Sequence, residues 1–176
     1  MRYRLHVVAA SVADVVRFAG GWLFDRAMAG WDVTVLLIDH PDDRPLKILG
    51  ARTLDLEEAL ATIDSGTDSR PRPQALGAAA DLFGCDRRVR QGVLQALDQG
   101  VTEVTLWGET WPSELEDSVG LVQHRLSAAA QIFKAQALAA VSNAGEAPHC
   151  SIGHTETFRS GLLAWPSVAA DLIPAS

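Results

Sequence analysis

Asp39 and His40 stand together at the end of the apolar run Trp31 to Asp39 (WDVTVLLID). A carboxylate there could orient an imidazole whose charge changes near neutral pH, which is the pairing a general base needs. The same D-H-P-D-D is the composition of an ordinary turn, because Pro and Asp supply turn geometry. Ser11 and Glu109 close two other apolar runs, so Ser11, Asp39, His40 and Glu109 are the candidate catalytic residues. They do not together supply a nucleophile, a base and a stabiliser.

Three further groups carry chemistry. Trp107, Gly108, Glu109, Thr110 and Trp111 place two indoles beside a carboxylate, which suits stacking on a planar ligand or anchoring a protein. Arg70, Arg72, Arg87, Arg88 and Arg90 gather five of the 15 basic residues into one stretch, and Arg87, Arg88 and Arg90 are a weak anion-binding candidate. His149, Cys150, His154 and Glu156 lie close in sequence, but their spacing matches no common zinc framework, so no metal site is expected. The loop AASVAD after the first apolar run has no glycine to let a pyrophosphate approach the backbone, and no cofactor is implied.

The elements that must position these residues follow from periodicity. Leu5 to Ala10 reads as a strand, and Val15, Phe18, Ala19, Trp22, Leu23 and Ala29 repeat at helical spacing up to Gly30. Gly20 and Gly21 inside that helix point to close packing or a kink. Trp31 to Asp39 is apolar on both faces, as expected of a central parallel strand. A short helix from Pro45 to Gly50, a strand at 52–56, and a helix capped by Asp55 with Glu58 come next. Ser65 to Gln74 is a mobile loop, Ala75 to Gln99 reads as helix interrupted near Gly84, and Val101 to Trp107 as a fourth strand. Glu103 on that strand is easiest to satisfy near a sheet edge.

Ser113 with Glu116 forms a capping box. Behind it Leu115, Val119, Val122, Leu126, Ala129 and Phe133 alternate at four and three, which predicts a long helix reaching about Val141. The tail from about 142 reads as mostly irregular. Ile132 and Phe133 on the distal part of the helix, with Trp107 and Trp111, are the candidate binding residues.

With 48% apolar and 21% charged residues the chain has the composition of a globular protein, and its 176 residues suit one domain spanning 1–176. A net charge of -7 argues against nucleic acid as the partner. Arg2 and Arg4 precede an apolar run, yet His6 and the charged segment behind it make this a first strand and not a secretory signal. No run is long enough for a membrane span, and two widely spaced cysteines suit the reducing cytoplasm.

The element order is similar to that of small Rossmann-like and flavodoxin-like modules, without a diagnostic motif. The expectation is therefore an α/β domain: a small parallel sheet of about four strands flanked by helices, with a long C-terminal helix. For function it is a noncatalytic binding or regulatory adaptor, working through protein–protein contacts or self-association. The alternative is an enzyme acting on a small molecule at the C-terminal ends of the strands.

Overall fold

A computed structural model describes residues 2–66, 71–142, 152–161 and 171–175. The first apolar run becomes β1 (Arg4–Ser11), and Ser11 turns the chain into α1 (Val12–Met28) by accepting the Asp14 amide at 3.3 Å, an N-cap. There follow β2 (Asp32–Asp39), α2 (Arg44–Ile48), β3 (Arg52–Asp55) and α3 (Leu56–Asp64), whose cap is Asp55 accepting the Glu58 amide. Then come β4 (Ala75–Ala79), α4 (Ala80–Cys85), α5 (Arg87–Gln99) and β5 (Glu103–Trp107). The chain closes with a 3-10 turn at Ser113–Leu115, β6 (Val119–Arg125), α6 (Ala128–Ser142), β7 (Thr155–Gly161) and β8 (Leu172–Pro174).

The strands form one mixed sheet of eight, in the order β3-β2-β1-β4-β5-β7-β6-β8. β1 to β5 are mutually parallel, and β7, β6 and β8 extend the β5 edge in antiparallel fashion. This corrects the expectation of a small parallel sheet of about four strands with a long C-terminal helix. Parallel crossovers are right-handed, so connections running toward β3 and toward β5 put their helices on opposite faces. Accordingly α1, α2 and α6 pack together, and α4 packs with α5.

Four elements differ from expectation for physical reasons. β4 is the sequence Ala-Leu-Gly-Ala-Ala, which favours helix by composition, but its small side chains make room for two indoles. A Cβ on Gly77 would lie 3.3 Å from the Trp22 ring and 3.4 Å from the Trp107 ring. The long helix is instead β6 followed by α6, started by Ser127, whose Oγ accepts the Ala130 amide at 3.0 Å. The strand resets the helical phase, so α6 buries Ala130, Lys134 and Ala137 and leaves Ala129 and Phe133 outward. In the tail that reads as irregular, β7 carries buried Glu156 and Phe158 and is an interior strand. Finally, β2 is interior but second from the edge, while β5 is interior and Glu103 is 2% exposed. Arg26 satisfies that carboxylate at 2.7 Å and reaches Asp171 at 2.6 Å, with its guanidinium over the Trp22 and Trp31 rings.

Candidate active site

The sheet reverses its order of connection between β1 and β4. β1 leads through α1 toward β2 on one side, and β4 leads through α4 toward β5 on the other, so the two loops diverge and leave a crevice at the strands' carboxyl ends. The pocket there encloses about 320 Å³, and Asp14 in the first turn of α1, Asp81 in the first turn of α4 and Trp107 to Thr110 after β5 help to line it. Gly108 makes the turn possible. Its φ of +149° suits glycine, and a Cβ there would stand 3.0 Å from that of Ala80.

Asp14 is the chemically distinctive group. Burial pushes its carboxyl above the ordinary 3.8; the hydrogen bond from Trp107 opposes that rise, the Asp81 charge adds to it and Arg17 opposes it. The Trp107 indole Nε1 donates to Asp14 Oδ2 at 3.1 Å and holds the carboxylate in one orientation. A half-buried carboxylate with a raised pKa and a fixed geometry is equipped to take up and return a proton.

A second pocket, about 390 Å³, opens between α1, α6 and β7 and shares Arg17, Phe18 and Gly108 with the first. Its floor holds a buried ion pair, Lys134 Nζ to Glu156 Oε1 at 2.5 Å. The Glu156 carboxylate also accepts the amides of Gly21 at 2.8 Å and Trp22 at 2.7 Å, and Lys134 Nζ donates to the Arg17 carbonyl at 2.7 Å. Two amides and one carbonyl in the middle of α1 are thus satisfied by side chains from β7 and α6, an insertion into the helical ladder. The paired glycines let neighbours pack closely on this stretch of α1: a Cβ on Gly21 would overlap Leu126 at 2.4 Å, and one on Gly20 would lie 3.6 Å from Lys134 Cγ.

The four candidates from sequence are divided among three places. Ser11 and Asp39 are register partners and line a pocket of about 310 Å³ beside α2, but Ser11 Oγ is engaged as the α1 cap. His40 turns to Asp55, 3.4 Å away. The Asp55 carboxyl is held below its ordinary value first by the Glu58 amide and, less, by His40. Glu109 is exposed and lines the Asp14 pocket.

Of the remaining candidates, Trp107 is 1% exposed and faces the core, whereas Trp111 is half-buried under the guanidinium of Arg159, 4.7 Å from its ring centroid. Phe133 stacks on Phe24 with centroids 4.6 Å apart, and Ile132 is exposed. Arg88 pairs with Glu57 and Asp86, and Arg90 with Glu114, so only Arg87 of that trio has no acidic partner among the described residues. His149, Cys150 and Arg70 lie outside the described residues. His154 meets Gln131, and Glu156 is committed to Lys134, so that pair does not converge. Among the described residues no three His, Cys, Asp or Glu side chains stand together as a metal would require.

Sequence reasoning passed over Asp14, Asp81, Arg17 and Arg159. Asp14 was legible, since it lies in the first helical turn directly after the first strand. Asp81 was hidden because the strand before it has a helical composition.

No protein-family model and no curated protein matches the chain. Solved structures do. The A40926 pseudoaglycone deacetylase Dbv21 superposes with a TM-score of 0.59 at 15% identity, covering 97% of this chain and all of that one. A deacetylase–teicoplanin complex gives 0.57 at 16% identity over 90% of this chain and 98% of that one. The 4-carboxy-2-hydroxymuconate hydratase GalB of Pseudomonas putida gives 0.50 at 12% identity over 95% and 98%. At such identities the likeness shows the fold. It also corrects the expectation of a noncatalytic, regulatory adaptor, because these proteins of the same fold are enzymes.

Proposed function

We propose that the chain is an enzyme acting on a small molecule at the C-terminal ends of the sheet strands, with Asp14 as its acid–base group. The observation that carries this reading is the placement of Asp14: at the reversal point of the sheet, in a pocket, its pKa raised and its geometry fixed by Trp107. The neighbours' activities support a reaction class. Removing an acetyl group by hydrolysis and hydrating a carbon–carbon double bond both place the elements of water on a substrate.

In either reaction ionised Asp14 accepts a proton from the water whose oxygen bonds to the electrophilic carbon. It then returns that proton to the leaving nitrogen or oxygen, or to the carbanion formed by addition. Asp81 adds negative potential near Asp14 and helps it compete for the proton. No helix among the described residues is long and apolar enough to cross a membrane. We assign the protein to the cytoplasm, where the exposed free thiol of Cys85 stays reduced.

The test is incubation of wild type and Asp14→Asn with a small-molecule extract, read by mass spectrometry for products gaining water or losing an acyl group. Products made by wild type and not by a folded Asp14→Asn support the reading. Identical profiles, including no change in either, overturn it.

A further inference from the structure

The two joined pockets are oppositely charged. Asp14, Asp81 and Glu109 line one and Arg159 the other, with Arg17 on the border they share, and neither arginine has an ion-pair partner among the described residues. Lys134 adds little net charge there, because Glu156 neutralises it at 2.5 Å. Arg159 is the more instructive cation. It projects from interior strand β7, its guanidinium carbon stands 4.7 Å from the Trp111 ring centroid, and its buried Nε has no hydrogen-bond partner. Burying a guanidinium nitrogen unpaired is costly, and in a chain of net charge -7 acidic partners are plentiful elsewhere: Arg44, Arg52, Arg88 and Arg90 all have one.

We propose that the Arg159 and Arg17 end of the cleft seats a carboxylate of the substrate, so that the enzyme acts on small carboxylic acids whose reacting group is uncharged. A planar guanidinium presents paired N–H donors that match a carboxylate, and its hold on the Trp111 face fixes that fork in the pocket. The opposite end repels an anion. The carboxylate is therefore directed to the arginines, and the neutral carbonyl or alkene is left beside Asp14. The two volumes, about 320 and 390 Å³, accommodate a molecule with both functions.

This inference rests on the proposed acid–base role of Asp14 only for the orientation of the substrate, and binding tests it separately. The probes are N-acetylglycine and its uncharged counterpart N-acetylglycinamide, titrated into nitrogen-15-labelled protein and followed by NMR at Gly108 and Trp111. Wild type is expected to bind the acid and not the amide. Arg159→Gln should weaken the acid by about tenfold or more, the loss expected for a charge-assisted contact, with Arg159→Lys between the two. Asp14→Asn should bind the acid at least as well as wild type. If Arg159→Gln does not fold, Arg17→Gln, whose side chain is exposed, is read by the same criterion. Equal binding of both probes, binding of neither, or wild-type affinity in the folded arginine variant overturns the proposal. Carboxylate binding without Asp14-dependent turnover defeats only the catalytic reading, and turnover without carboxylate preference defeats only this one.

Discussion

Two carboxylates press against the same helix and are treated in opposite ways. Glu156 reaches the middle of α1, where two backbone amides and Lys134 donate to it and tie β7 and α6 to the helix. Asp14 sits on the first turn, half-buried, with one indole N–H at 3.1 Å and a second carboxylate nearby. A carboxylate met by three donors is fixed in place and serves structure, whereas the half-buried Asp14, met by one, has its pKa raised and can bind a proton. The position of a carboxylate on a helix therefore says less about its role than the number of donors that meet it.

The largest effect should come from breaking the structural member. Glu156→Ala leaves Lys134 buried without its partner and two amides unmet, and should cost about 3–5 kcal/mol of stability, a large share of what a domain has. Urea denaturation measures it. A loss below about 1 kcal/mol, the range of surface ion pairs, would show that the two carboxylates are not the contrasting pair described.

Asp14→Asn should do the reverse: turnover falls by about a hundredfold or more, the usual worth of a general acid–base, while stability at neutral pH rises. The direction follows from linkage. The folded pKa lies above the unfolded value near 3.8, so between them the native state holds more protons than the unfolded state. Wild-type stability consequently declines as pH rises through that window, and above it the full penalty of burying the charge is present. The advantage of the Asn variant should appear at neutral pH and vanish as pH falls below the unfolded value. A melting-temperature series against pH reads this, and an Asn variant less stable than wild type at neutral pH would contradict it.

The smallest effects sharpen the contrast by moving the Asp14 pKa without removing the group. Trp107→Phe deletes the donor and should shift the acidic limb of the rate profile to higher pH. Asp81→Asn removes a repelling charge and should shift it lower. Both shifts in the same direction would mean that the limb belongs to another residue.

Much of the frame was legible because its signals are local. Ser11 and Asp55 cap helices where their side chains can reach the third amide onward, and Gly100 adopts a φ of +61° where α5 must stop. What escaped depends on partners remote in sequence. Ala75 to Ala79 is a strand only because Trp22 and Trp107 fill the space its side chains leave. The four-three spacing from Leu115 to Phe133 continues across a strand that pairs with residues near 160, which the spacing alone does not reveal. The site shares this property. Asp14, three residues beyond the cap Ser11, is visible in the sequence, but Trp107 is 93 residues away, and only folding brings the indole to the carboxylate.

The ion pair wedged into α1 sets the order in which the protein can be finished. Gly21 and Glu156 are 135 residues apart, so α1 is closed by a strand synthesised long after it. Until Lys134 and β7 arrive, the nascent chain carries a helix with open amides at its midpoint, and the parallel half cannot lock in ahead of the antiparallel one. Folding of the parallel half should accordingly wait for a late, cooperative transition that requires β7.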